Sequence, residues 1–165
     1  MASGYSWDPV KVQLVTVSHR QPEWVVAGCV EYERRLPREW GYSVVELKPA
    51  TRVGGTTVDK ARATEGERIR AAVAKGARLV VLDERGESLT TEKFAERMSK
   101  WARDGRDLAF VIGGADGLDP ALLAAAEGRL SLSAFTLPHG LVRVVFAEQL
   151  YRVASLHSGH PYHRA

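Results

Sequence analysis

The chain has 165 residues, of which 45% are apolar and 26% charged, with a formal net charge of +3 and one cysteine, Cys29. That length suits one domain with its own core, and the balance excludes a chain disordered throughout. A single thiol excludes an intramolecular disulfide and a cysteine-built zinc site, and no apolar run approaches the roughly 20 residues of a membrane span.

Residues 1–9 form a polar lead-in, expected to be flexible, with neither the basic nor the apolar region of a secretory signal. A cytoplasmic location is the expectation. Val10–Val17 is β-branched and largely alternating, which predicts a strand. Pro22 opens a helix through Trp24, Val25, Cys29 and Tyr32 that must close before Pro37. Tyr42–Leu47 predicts a second strand, and Thr51–Thr57 is a Gly/Thr-rich loop. Asp59 is the expected cap of a helix running through Ile69 to about Ala74.

Leu79–Leu82 is a continuous apolar run ending at Asp83, as in a strand covered on both faces. Thr90 caps a helix through Phe94, Met98 and Trp101. Leu108–Ile112 is another buried strand, which breaks into Gly113-Gly114-Ala115-Asp116-Gly117. Asp119-Pro120 reads as a cap followed by proline at the first helical position. A short strand around Leu130–Phe135 leads to Leu137-Pro138-His139-Gly140, and the last helix runs from about Leu141 to His157. Strands alternate with helices, which predicts an α/β domain over residues 1–165: a mainly parallel sheet with helices on both faces. Ligands of such sheets sit at the carboxyl ends of strands, after Leu82, Ile112 and Phe135. The last helix is apolar nearly all round, and a second copy of the chain is the expected cover, making a homodimer.

The chemical signals are individually modest. Gly113–Gly117 follows a buried strand but is neither G-x-G-x-x-G nor a phosphate-cradling P-loop; it fits a tight turn or a close ligand approach equally. The run Leu132-Ser133-Ala134-Phe135-Thr136-Leu137 sets hydroxyls among apolar residues, as a pocket for a flat heterocycle or an ordinary strand end would. A serine hydrolase lacks its G-x-S-x-G elbow. His157, His160 and His163 suggest a metal, but Pro161 bars the helix that would align them, and no metal is expected. The tail fits either a frayed terminus or a cluster that stacks on a base and holds phosphate. Arg152, one turn after Glu148, fits an i,i+4 ion pair.

Taken in order, these pieces resemble the ribosomal RNA large-subunit methyltransferase H family of the SPOUT superfamily. The resemblance runs from Val10 nearly to the end. It is carried by Pro22-x-Trp24-Val25, Glu31-Tyr32-x-x-Arg35, Glu65-Gly66-Glu67, Leu82-Asp83 and Asp104-Gly105-Arg106-Asp107. It continues in Ile112-Gly113-Gly114-x-x-Gly117, Leu132-Ser133-x-x-Thr136-Leu137-Pro138-His139, Leu141-Val142-Arg143, Glu148-Gln149-Leu150-Tyr151-Arg152 and His160-Pro161-Tyr162-His163-Arg164.

The resemblance implies a C-terminal trefoil knot and a homodimer with both active sites at the interface. It implies an S-adenosylmethionine-dependent enzyme that methylates N3 of a pseudouridine in 23S rRNA of the ribosome. By it, Leu82, Gly113, Gly114 and Leu132, Ser133, Ala134, Phe135, Thr136 and Leu137 form the cofactor pocket. His139, Arg152, Tyr162, His163 and Arg164 handle substrate: the arginines align it and stabilise charge, Tyr162 stacks on the base, and His139 or His163 takes the proton. The alternatives are a SPOUT methyltransferase with another target nucleotide and a non-catalytic ribosome-binding factor.

Overall fold

Alternating apolar residues in the strands give the sheet two buried faces, and the helices divide between them. The computed structural model describes residues 5–164. Its strands are β1 Val12–Val17, β2 Ser43–Leu47, β3 Arg78–Ser88, β4 Leu108–Ile112 and β5 Gly128–Ser131. Its helices are α1 Glu23–Glu33, α2 Val58–Ala72, α3 Thr91–Arg103, α4 Pro120–Ala125 and α5 His139–Ser158, with short 3-10 turns at Arg38–Trp40 and Pro161–Arg164. The strand order is β2-β1-β4-β3-β5, and every pairing between these strands is parallel. Val12, Leu14, Val80, Leu82, Leu108, Phe110 and Ile112 point to the face covered by α3 and α5, where Phe94, Met98, Phe146 and Leu150 complete the larger core. Val15, Val17, Val81 and Val111 point the other way, onto Ile69 of α2 and Leu122 of α4. The predicted α/β class, with helices on both faces, is what forms.

Local chemistry moves several boundaries. Thr57, not Asp59, caps α2: its hydroxyl accepts from the Lys60 amide at 3.2 Å, while Asp59 lies in the first turn. Thr90 caps α3 as expected, accepting from the Lys93 amide at 3.2 Å. Asp119 precedes Pro120 but makes no side-chain cap; its carboxylate accepts from Arg70 at 3.2 Å. β3 continues past Asp83 to Ser88 through a register shift, and Glu87 and Ser88 pair with β5. A Cβ on Gly86 would stand 2.7 Å from the Arg129 and Leu130 backbone, so only glycine lets these two strands pass so closely. β5 stops at Ser131, short of Phe135. The Ser131 hydroxyl donates to the Ser133 carbonyl at 2.9 Å and the Phe135 amide donates to the Ser133 hydroxyl at 2.9 Å, which turns the chain out of the ladder.

Two expectations need correction. Met1–Gly4 of the lead-in lie outside the described residues, but Tyr5 and Trp7 are packed: the Trp7 ring is 4.7 Å from Trp40 and the Tyr5 ring 5.7 Å from His157. Nor does the apolar girth of α5 by itself require a second copy. α5 lies on the sheet between α1 and α3, and Gly28 of α1 sits against Val144 so closely that an added Cβ would be 3.2 Å from its methyls. Among the helices, uncovered apolar side chains stand instead on α1, where Trp24, Val26 and Val30 are each more than half exposed.

Candidate active site

β1, β3 and β4 all end at one edge of the sheet. There the Gly113–Gly117 loop, the segment after β5 and the start of α5 enclose a cavity of about 710 Å³. That size is ordinary for a small-molecule site. Leu82, Gly113, Gly114, Leu132, Ser133, Phe135, Leu137 and His139, all singled out in the sequence, line it together. Ala134 and Thr136 do not; both are exposed on the outside of the same turn. Phe135 is 82% exposed at the mouth.

The two loop glycines are required by neighbours within the protein. A Cβ on Gly113 would be 2.7 Å from the Leu118 side chain, and one on Gly114 would be 3.0 Å from a Glu65 carboxylate oxygen. Glu65, buried on α2, also accepts from the Ala50 amide at 3.0 Å. It thereby ties the chain after β2 to the glycine loop. Gly117 closes that loop with φ +81 and an amide bond of 3.0 Å to the Gly114 carbonyl.

His139 opens α5 at the cavity wall. Its Nε2 is 3.0 Å from the Thr16 hydroxyl, and the ring also bonds the Gly113 backbone. Burial, then the nearby Arg143 guanidinium, pushes its pKa below the usual histidine value, against the Gly113 bond. With both contacts made, the ring braces the junction of β1, β4 and α5. Asp83 and Asp116 line the cavity too, within motifs the sequence marked, whereas Arg62 from α2, Arg85 from the β3 extension and Leu118 after the glycine loop carry no sequence signal. They were hidden because α2 is short of apolar periodicity there and β3 was expected to end sooner. Asp116 is ion-paired with Arg52, and Asp83 stands 3.7 Å from Arg129.

The tail residues form a second cluster. The Glu148 Oε1 accepts from Arg152 Nε at 2.9 Å and Nη2 at 2.6 Å, and from the Tyr162 hydroxyl at 3.1 Å. The Arg152 guanidinium lies 5.0 Å from the Tyr162 ring centre, and the Tyr162 ring is 4.5 Å from Tyr151. Burial, then the Glu148 charge, pushes the Tyr162 phenol up to about 12, so it stays protonated at any working pH. His163 is half-buried and Arg164 exposed on the closing 3-10 turn. The expected i,i+4 pair of Arg152 with Glu148 is present; the frayed terminus is not.

α5 keeps the two clusters apart. His139 is at its first position, and the tail folds back onto Glu148, Tyr151 and Arg152 further along it, so cavity and tail cluster are separated by roughly 14–20 Å along one helix. Among the described residues no group of three His, Cys, Asp or Glu stands close enough to hold a metal ion, and no helix is long and apolar enough to cross a membrane.

Comparison with known proteins adds the remaining findings. The profile of a family described as predicted SPOUT methyltransferases matches residues 10–163. A protein of Nitrosospira multiformis named ribosomal RNA large subunit methyltransferase H is 54% identical over 156 residues, spanning 94% of this chain and all of that one. One of the same name from Dechloromonas aromatica is 53% identical over 155 residues, 94% of this chain and 99% of the other. Among solved structures, the SpoU methyltransferase AviRb of Streptomyces viridochromogenes, crystallised with AdoMet, aligns with a TM-score of 0.44 at 12% identity, covering 88% of this chain and 58% of that chain.

Proposed function

The chain belongs to the SPOUT methyltransferase family, and on that footing we propose that it is an S-adenosylmethionine-dependent methyltransferase of large-subunit ribosomal RNA. The target is N3 of a pseudouridine in 23S rRNA, met on the ribosome in the cytoplasm. The observation that carries this reading is the convergence of Leu82, Gly113, Leu132 and Leu137 on one cavity of cofactor size, in a chain more than half identical to proteins of that name. The C-terminal trefoil knot belongs to the same proposal; the close passage of β3 and β5 at Gly86 supports it.

The cavity's chemistry fits S-adenosylmethionine. Apolar strand ends and a backbone-lined turn suit the adenine, and the polar side chains of the lining suit its amino-acid end. When bound, the cofactor supplies an electrophilic methyl group on sulfur, which needs no metal. The protein's part is to align the pyrimidine nitrogen with that methyl, to exclude water and to accept the N3 proton. Alignment alone can supply much of the rate.

Arg152 and Arg164 hold and neutralise the substrate, Tyr162 offers its ring to the base, and His163 is the proton acceptor available at that end. His139 serves the cavity as a brace. Because one chain's tail cluster sits on α5 roughly 14–20 Å from its own cavity, the active enzyme is a homodimer in which each tail completes the cavity of the other copy. The exposed apolar side chains of α1, Trp24, Val26 and Val30, support such a contact.

The test is mass spectrometry of 23S rRNA nucleosides from wild-type and gene-deleted cells. Loss of one methylated pseudouridine, restored by the gene, is expected. Loss of a different methylated nucleoside would reassign the target. An unchanged nucleoside profile would leave a ribosome-binding factor.

A further inference from the structure

On α2, Arg62, Glu65, Gly66 and Ile69 follow one another at helical spacing on a single inward face. Ile69 is in the core, Glu65 is buried, and Gly66 is so close to Asp119 that a Cβ would stand 2.9 Å from it. Arg62 extends this stripe by one turn toward the amino end, where it meets the cavity and lines its wall. Its Nε is shielded from solvent and has no hydrogen-bond partner, and among the described residues the guanidinium has no ion pair. Two of the cavity's acidic side chains are engaged elsewhere, Asp116 with Arg52 and Asp83 facing Arg129, and the third, Glu84, is exposed on the β3 extension and makes no ion pair with Arg62.

A guanidinium whose Nε is shielded and unpartnered, and which has no counter-charge, gains from an anion that joins it. Guanidinium also matches the planar fork of a carboxylate, which it can bind through two parallel hydrogen bonds.

We infer that Arg62 receives the carboxylate of the amino-acid end of S-adenosylmethionine and so fixes that end of the cofactor against α2. This rests on the cofactor reading above and goes beyond it by naming the residue that reads the charged end. An RNA phosphate is the other anion at hand. It suits the exposed cations of the rim, such as Arg85, better than an Nε turned away from water.

The experiment is calorimetry on the full-length protein and on Arg62→Gln with three probes: S-adenosylmethionine, its decarboxylated analogue and methylthioadenosine, which keeps the nucleoside and loses the whole amino-acid end. Arg62→Gln should weaken S-adenosylmethionine by about 10- to 100-fold, the range for a hydrogen bond to a charged group. Both carboxylate-free probes should bind wild type and variant alike, which also shows that the variant is folded with its cavity intact.

Equal weakening of all three probes would overturn the inference, since Arg62 would then be shaping the cavity. Unchanged binding of all three with reduced affinity for ribosomal RNA would overturn it in favour of a phosphate contact. If the wild-type protein bound neither S-adenosylmethionine nor methylthioadenosine, the cofactor reading itself would fail, and the inference with it.

Discussion

Thr16 and His139, 123 positions apart in the chain, meet through a 3.0 Å hydrogen bond between the threonine hydroxyl and the imidazole Nε2. Thr16 is fully buried on β1, so the bond is sheltered from water. Because the imidazole also bonds the backbone of Gly113, a buried side chain on one strand bears on the glycine loop of the cavity. Thr16→Val keeps the shape and removes the hydroxyl, leaving a buried ring nitrogen unsatisfied. A loss of about 1–3 kcal/mol in urea unfolding is expected, together with weaker S-adenosylmethionine binding by calorimetry. A destabilised variant with wild-type cofactor affinity would show that the bond supports the fold but not the cavity.

Acid should destabilise the protein through two histidines. Burial, first in order, lowers the pKa of both His139 and His157 in the fold. Above about pH 6.5 both rings are neutral in folded and unfolded chains alike. As pH falls below that value the unfolded chain takes up protons first, so stability drops, and the drop ends once the folded rings protonate. Urea midpoints between pH 8 and 5 should trace this fall, and His157→Gln should flatten it relative to wild type. A midpoint that held steady to pH 5 in the wild type would exclude the effect.

The tail contributes to the fold as well as to the proposed chemistry. A terminus that only touched RNA could be cut without cost, but Tyr162 packs on Tyr151 and donates to Glu148. Ending the chain at His160 should therefore lower stability by about 2–4 kcal/mol, one charge-assisted hydrogen bond plus an aromatic contact. Methyl transfer to ribosomes should fall much further, while calorimetry with S-adenosylmethionine stays near wild type. Full turnover in the shortened chain would remove the tail from the site.

Separated half-sites make a complementation test possible. Gly113→Val drives its side chain into Leu118 and disrupts the cavity, whereas the chain ending at His160 lacks the tail. Each alone should be inactive in RNA methylation. Refolded together in equal amounts, they should recover about one quarter of wild-type activity, since half the dimers are mixed and each mixed dimer has one intact site. No recovery, with mixed dimers present by mass spectrometry, would place cavity and tail in the same copy.

Much of the frame was legible in the sequence because apolar periodicity and caps act locally. Leu79–Leu82 and Leu108–Ile112 announced central strands, and Thr90 announced a helix start. What escaped depends on partners far along the chain. Asp59 looked like a cap, yet Thr57 supplied the bond to the Lys60 amide, a choice between neighbours that composition does not decide. Trp7 looked like part of a loose lead-in because its partners, Trp40 and His157, are remote in sequence. For the site, the glycine loop and the Leu132–Leu137 run were visible as departures from strand chemistry. Arg62 was not, since one cation in a charged helix carries no mark until the fold turns it inward.

α5 also acts as a ruler. Its register fixes both the bearing and the distance of Tyr162 from His139. One residue inserted midway would swing everything beyond it by about 100° and push it on by about 1.5 Å. Tyr151 and Tyr162 would then turn together away from Glu148, and in the proposed dimer the tail would point away from the other copy's cavity. On the proposed composite site the length of this helix is therefore as much a determinant of activity as any side chain on it, and point substitution cannot reveal that.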